Sequence, residues 1–190
     1  SEIIADAQPQ IDKLTLPQGV TIELSGSYED QKDSFGDLGT LAVLIIILVY
    51  IVMASQFESL TYPGIIMTSI MFAFSGVVLI LFLTGTNLNI MSMIGSIMLI
   101  GIVVKNGIVL VDYINLNRER GMSVRRSVID GGHSRLRPVL MTSLTTILGM
   151  VPMAIGSGEG SEMWRPMGMA VIGGLTFSTV LTLLFVPTMY

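Results

Sequence analysis

The stretch LNIMSMIGSIMLIGIVVKNGIVLV, from Leu88 to Val111, has the length and composition of a membrane-spanning helix. It runs for 24 residues with one formal charge, Lys105, and about 20 apolar residues suffice to cross the hydrocarbon core of a bilayer. Hydrocarbon offers a peptide group no hydrogen-bond partner, so such a segment must be helical. The stretch therefore predicts a transmembrane helix that contains a lysine.

Four more segments share this character, and none of them contains a formal charge. The whole chain of 190 residues is 51% hydrophobic and 13% charged, whereas a soluble domain averages roughly 25% charged residues. The composition therefore predicts an all-α membrane protein with five transmembrane helices. The predicted spans are 38–54, 65–83, 88–111, 139–155 and 167–186.

Turn and proline signals predict where several of these helices begin and end. Thr84–Asn87 has the composition of a tight turn between the second and third spans. Pro138 is predicted to open the fourth span in its first turn, where a proline costs no hydrogen bond. Pro152 is predicted to kink or end the same span. The basic and apolar residues of Val124–Ile129 suggest a short helix on the membrane surface.

Basic residues predict the orientation of the chain. Six arginines fall in the connection 112–137, among the ten Lys and Arg residues of the whole chain. Cytoplasmic loops carry an excess of basic residues, so 112–137 is predicted to be a cytoplasmic loop. With five spans, the acidic N-terminal segment 1–37 is then periplasmic and Tyr190 is cytoplasmic.

The N-terminal segment is predicted to be the end of a periplasmic domain. Ile3–Leu14 reads as a short helix and Val20–Leu24 as one strand, a short periplasmic α/β remnant. One helix and one strand do not form a domain. We therefore expect a longer protein in which a periplasmic domain precedes Phe35. Residues 1–37 are expected to be the partial end of that domain, and residues 38–190 to form the transmembrane domain.

Lys105 is the most informative residue of the spans. A charged side chain in mid-membrane costs roughly 2.5–3.5 kcal/mol on insertion scales, and Asp112 lies two helical turns away. No span contains a carboxylate, so a partner for a buried Lys105 must come from outside these residues. Alternatively, its stem snorkels to the cytoplasmic headgroups. The adjacent Asn106 and the glycines Gly101 and Gly107 favour a close helix approach with polar groups turned inward.

Other polar and small residues of the spans have ordinary structural interpretations. Hydroxyls in membrane helices usually bond their own carbonyls, and small residues four apart allow helices to pack closely. The single histidine, His133, is expected in solvent. The hydroxyl stripe comprises Thr142, Ser143, Thr145 and Thr146, and the small pairs are Ser92 with Ser96 and Ala170 with Gly174.

Several classes of activity lack the residues they require. The chain has no Cys and one His, which excludes disulfides, thiol chemistry and a zinc site. It has no Walker-type phosphate loop, so no ATP motor is predicted. We therefore predict that the chain is not an enzyme, binds no cofactor or metal, and draws its energy from an ion gradient or a partner.

Four motifs together resemble the resistance–nodulation–division (RND) efflux transporters. They are GIVVKNGIVLVDY at 101–113, SRLRPVLMTS at 134–143, GMVP at 149–152 and IGG at 172–174. The likeness covers essentially the whole chain. It implies the last five of the twelve membrane helices of such a transporter, preceded by the final strand of its periplasmic porter region.

This resemblance implies a proton antiporter that exports drugs or other amphiphiles across the bacterial inner membrane. Lys105 matches the membrane lysine that pairs with two aspartates, Thr142 the relay threonine, and Arg135 the basic residue at the cytoplasmic end of the relay. The Lys-Asn pair that Lys105 forms with Asn106 resembles the drug and amphiphile branch more than the heavy-metal branch, which usually lacks this lysine.

The same resemblance implies partners. The paired aspartates belong to the N-terminal half of the transporter, and the full-length protein is expected to be a homotrimer in the lipid bilayer, with a periplasmic adaptor and an outer-membrane channel. No nucleic-acid partner is expected. The substrate-binding residues remain unknown, since they lie in periplasmic domains that this chain does not contain.

Two other functions fit the residues. One is an accessory membrane subunit of protein export, whose helix arrangement is similar to that of the RND transporters. The other is a lipid-sensing or structural scaffold that transports nothing. Paired membrane aspartates and two large outside domains in the missing half would favour efflux, whereas a small outside domain would favour the export accessory.

Overall fold

The computed structural model describes residues 27–156, 158 and 160–190. Their secondary structure consists of long helices, and no strand occurs among these residues. All five helices are long and apolar enough to cross a membrane, which confirms the predicted all-α membrane fold. The predicted helix 3–14 and strand 20–24 lie outside the described residues. The helices are α1 (Ser27–Phe57), α2 (Thr61–Thr84), α3 (Ile90–Glu119), α4 (Val124–Ile155) and α5 (Ser161–Met189).

The connection predicted as a loop at 112–137 is mostly helical. Helix α3 continues to Glu119 and α4 begins at Val124, so only a short turn separates them, with Gly121 at a φ of 85°. Charged residues exclude a segment from hydrocarbon but not from a helix, because the backbone hydrogen bonds of a helix are internal. At 1.5 Å per residue, α4 is longer than the roughly 30 Å hydrocarbon core.

Two further predictions about α4 are wrong. The residues 124–129 form the first turns of the continuous α4 and not a separate surface helix. Pro138 lies inside α4 rather than in its first turn, because the preceding arginine-rich residues already form regular helix. Pro152 does stand close to the end of α4, and the N–H of Gly156 closes the last turn on the Pro152 carbonyl at 2.9 Å.

The turn between α2 and α3 has a clear local cause. Helix α2 ends at Gly85, whose φ of 62° is left-handed and is readily adopted by glycine. Helix α3 begins with a capping box, in which Asn89 Oδ1 accepts from the Ser92 N–H at 2.9 Å and the Ser92 hydroxyl accepts from the Asn89 N–H at 2.9 Å. The predicted tight turn at Thr84–Asn87 is confirmed.

Helix α5 packs against α2, α3 and α4, and glycines allow this close approach. A Cβ on Gly173 would lie 2.2 Å from Ile80 Cγ2, and one on Gly174 would lie 2.1 Å from Leu99 Cδ2. Ala170 is fully buried beside them. The small residues Ala170 and Gly174 therefore serve helix packing, as the sequence predicts.

An aromatic cluster joins α2, α3 and the residue after α5. The rings of Tyr62 and Tyr190 stack with centroids 5.3 Å apart. Arg118 Nη1 donates to both phenol oxygens, at 3.3 Å and 3.2 Å, and the Tyr190 hydroxyl donates to Asn115 Oδ1. Burial raises the pKa of the Tyr190 phenol, although the Arg118 guanidinium opposes this effect. These contacts hold the ends of the three helices together.

Candidate functional site

Lys105 lies on the open face of α3. Its side chain is exposed, whereas Val104 and Asn106 on either side are buried. A Cβ on Gly101, one turn earlier, would meet no atom within 4 Å, so this face of the helix has no neighbour among the described residues. Within residues 27–156, 158 and 160–190, Lys105 makes no hydrogen bond or ion pair.

Asn106 points to the opposite, packed side and joins α3 to α4. Its amide Nδ2 donates to Ser143 Oγ at 3.3 Å. Its Oδ1 faces the Thr142 hydroxyl at 3.5 Å, which lies 3.0 Å from the Val139 carbonyl of its own helix. The structure thus brings together two of the predicted relay residues, Thr142 and the Asn106 that follows Lys105 in the sequence.

Ser143 extends this contact to α5. Its Oγ accepts from Thr179 Oγ1 at 2.9 Å as well as from Asn106 Nδ2. Asn106, Ser143 and Thr179 are 8%, 2% and 6% exposed, so the three side chains form a buried polar connection across α3, α4 and α5. The sequence predicted Ser143 only as one of a stripe of helix-bonded hydroxyls, and Thr179 was not among the predicted site residues.

The other hydroxyls of the α4 stripe behave as expected for membrane helices. Thr145 donates to the Met141 carbonyl at 2.8 Å, and Thr146 donates to the Thr142 carbonyl at 2.9 Å. Only rotation of the helix distinguishes Ser143, which faces the bundle, from these neighbours. On α5, a sequence signal was available, because Ser178, Thr179 and Thr182 place hydroxyls on successive turns.

Arg135 lies on α4 two turns before Thr142 and packs on α3. Its guanidinium carbon is 4.5 Å from the centre of the Tyr113 ring, a cation–π contact. Its Nε is buried and has no hydrogen-bond partner in the part of the chain that the structure describes. The structure therefore places Arg135 against the same pair of helices as Asn106 and Thr142, but in no hydrogen bond with either residue.

The chain is similar to known membrane transport proteins. The family model described as the AcrB/AcrD/AcrF family matches residues 1–190. The Swarming motility protein SwrC of Bacillus subtilis (strain 168) is 40% identical over 189 residues, which are 99% of this chain and 18% of SwrC. The crystal structure of a heavy metal efflux pump, in two crystal forms, is similar with a TM-score of 0.84 and 31% identity. Each match covers 100% of this chain and 19% of the pump.

These matches agree with the five apolar helices and with the family that the sequence resembles. The chain spans about a fifth of the length of the relatives it matches. The family model covers the whole chain, and the similarity to the solved pump supports the same family. The chain belongs to the AcrB/AcrD/AcrF family and is a fragment of an RND transporter.

Proposed function

We propose that this chain supplies the lysine side of the proton relay in an RND efflux pump, which couples inward proton flow to the export of drugs or other amphiphiles. The observation that carries this proposal is the position of Lys105. It is a cation without a partner among the described residues, on an open helix face, next to an asparagine that is hydrogen-bonded to α4.

The mechanism is electrostatic. When the paired aspartates of the N-terminal half are ionised, the ammonium of Lys105 is held between them, and Thr142 supplies a hydroxyl that can rotate between acceptors. Protonation of a carboxylate weakens the attraction and releases Lys105. Lys105 lies on the same helix, α3, as Asn106, which contacts α4. Release of Lys105 therefore changes how α3 packs on α4. The pump thereby has two states whose populations the proton gradient shifts.

Arg135 has a separate role in this proposal. It lies on the cytoplasmic side of Thr142 and stacks on Tyr113, which holds its positive charge close to the end of the membrane. A cation there favours the ionised form of a neighbouring carboxyl group. It thereby favours release of a proton toward the cytoplasm.

The proposed cargo is an amphiphile, although one relative is named a heavy metal efflux pump. The Lys-Asn pair at 105–106 supports this choice through its resemblance to the drug and amphiphile branch. Protein-export accessory and non-transporting scaffold functions remain the alternatives, and the family match supports neither.

The arrangement in the cell follows from the same proposal. The spans cross the bacterial inner membrane, with residues 1–37 at the end of the periplasmic porter domain and Tyr190 in the cytoplasm. The N-terminal half of the transporter covers the open face of α3. The full-length protein is a homotrimer that acts with a periplasmic adaptor and an outer-membrane channel.

Replacement of Lys105 tests this function. The full-length transporter carrying Lys105→Met should lose export of the amphiphilic cation ethidium from cells that lack other pumps, because no ammonium remains to respond to the carboxylates. Arg120→Met, which removes an exposed charge from the short turn after α3, is the matched control and should export normally.

Two outcomes would contradict the proposal. Normal ethidium export by Lys105→Met at a normal protein level would leave Lys105 as a snorkelling residue without a role in the relay. If the wild-type transporter fails to export ethidium but protects cells from zinc or cobalt salts, the cargo is a metal ion and not an amphiphile.

A further inference from the structure

Three side chains on three helices form one hydrogen-bonded chain beside the candidate relay. Thr179 Oγ1 on α5 donates to Ser143 Oγ on α4 at 2.9 Å. Ser143 Oγ also accepts from Asn106 Nδ2 on α3 at 3.3 Å. All three side chains are more than nine-tenths buried, so water does not readily replace any of these partners.

These contacts set the direction in which the Asn106 amide points. Because Ser143 Oγ takes the Nδ2 end, the Oδ1 end is turned toward the Thr142 hydroxyl at 3.5 Å. A flipped amide would present N–H groups to Thr142 and would change Asn106 from a hydrogen-bond acceptor to a donor at this point. The orientation of Asn106 therefore decides whether the Thr142 hydroxyl has an acceptor on α3 as well as the Val139 carbonyl of α4.

The Ser143–Thr179 pair departs from the usual behaviour of hydroxyls in membrane helices, which bond their own backbone. Thr176 on α5 follows the usual pattern and donates to the Ile172 carbonyl at 2.7 Å. Thr182 is 3% exposed, and its hydroxyl has no hydrogen-bond partner among the residues described. Buried polar atoms thus continue along α5 beyond Thr179, so this part of the bundle interior is not simply apolar packing.

We propose that Ser143 and Thr179 are positioning residues of the proton relay, which fix the Asn106 amide so that its oxygen faces Thr142. Helix α5 then takes part in the relay through a hydroxyl pair, in addition to supporting the bundle. This inference rests on the proposed function, since it assigns the two residues to the proton coupling of that same site.

The test removes one hydroxyl at constant shape. Thr179→Val in the full-length transporter should lower the rate of ethidium export by about two- to tenfold, the equivalent of one hydrogen bond. It should also shift the dependence of that rate on external pH. Thr179→Ser retains the hydroxyl and should restore both the rate and the pH profile. Ser143→Ala removes the acceptor and should reproduce the effect of Thr179→Val.

Ser178→Ala is the matched control. Ser178 is 1% exposed, and its hydroxyl lies 3.4 Å from the Leu175 carbonyl of its own helix, so its removal should leave the rate and the pH profile unchanged. The double variant Ser143→Ala with Thr179→Val should be no slower than the slower single variant, because both remove the same connection.

The outcomes separate this inference from the proposed function. An unchanged rate and pH profile in Thr179→Val and Ser143→Ala, at wild-type protein levels and with Lys105→Met inactive, would overturn the positioning role and leave the relay in place. Equal losses in Ser178→Ala and Thr179→Val would also overturn it, because packing would then explain the effect. Normal export by Lys105→Met would overturn the proposed function itself.

Discussion

Two neighbouring residues, Lys105 and Asn106, have opposite surroundings. Successive residues of an α-helix point about 100° apart, so the lysine faces the open side of α3 while the amide reaches Ser143 on α4. The amide has its partners in this chain, and the ammonium has none among the described residues. A protein that uses both residues needs a further element opposite Lys105.

At the same scale, the contact between Arg135 and Tyr113 should contribute measurably to stability. A cation over an aromatic ring contributes about 0.5–2 kcal/mol, and the two groups are 4.5 Å apart. We expect Tyr113→Leu to lower the midpoint of thermal unfolding in detergent, whereas Tyr113→Phe keeps a ring and should change it little. Equal losses in both variants would assign the effect to the phenol hydroxyl instead of the ring face.

The hydroxyl residues show the limit of sequence reasoning at this scale. The hydroxyl of a serine or threonine in a membrane helix usually donates a hydrogen bond to a carbonyl of its own helix. Thr145 and Thr146 do so. Whether Ser143 turns to another helix depends on the rotation of α4 relative to α3 and α5. That rotation is a property of packing, so the sequence pattern could not show which of the α5 hydroxyls, at Ser178, Thr179 and Thr182, is the partner of Ser143.

At the scale of the helices, apolar length predicted all five spans but underestimated several helix lengths. Hydropathy measures where a segment can meet hydrocarbon, while the helix itself ends only where the backbone turns. Between α3 and α4 this turn occurs at Gly121, with a φ of 85°. The charged residues on either side therefore continue the two helices beyond the apolar part.

The close contacts of α5 with α3 and α2 lead to a second prediction. Any side chain at Gly174 would overlap Leu99 and Val77, at 2.1 Å and 2.9 Å from its Cβ, and overpacking of this kind typically costs 1–3 kcal/mol. Gly174→Val should therefore lower the thermal midpoint and the yield of folded protein. Gly64→Ala on α2 adds a Cβ that would meet no atom of the described residues within 4 Å, so it should do neither. Wild-type stability of Gly174→Val would show that the helices separate at little cost.

At the scale of the whole molecule, the apolar surface is distributed unevenly. The most apolar part of α1 is almost entirely exposed, whereas more than half of the corresponding part of α3 is buried. Exposed apolar side chains on this scale mark a surface for lipid or for other membrane helices. The open face of α3 differs because it also contains Lys105, which hydrocarbon would not solvate. We therefore expect protein to cover that face and lipid to cover much of α1.

The orientation of the spans gives the last prediction, which rests on the arginines between 112 and 137. Basic residues are retained on the cytoplasmic side, so the turn between α3 and α4 should face the cytoplasm and the turn between α2 and α3 the periplasm. The chain has no cysteine, so a single introduced thiol reports one position when the rest of the transporter is also made cysteine-free. In intact cells, an impermeant maleimide should label Asn87→Cys but should label Arg120→Cys only after the membrane is opened. The reverse pattern would invert the topology and place Arg135 on the periplasmic side, where it could not favour proton release to the cytoplasm as proposed.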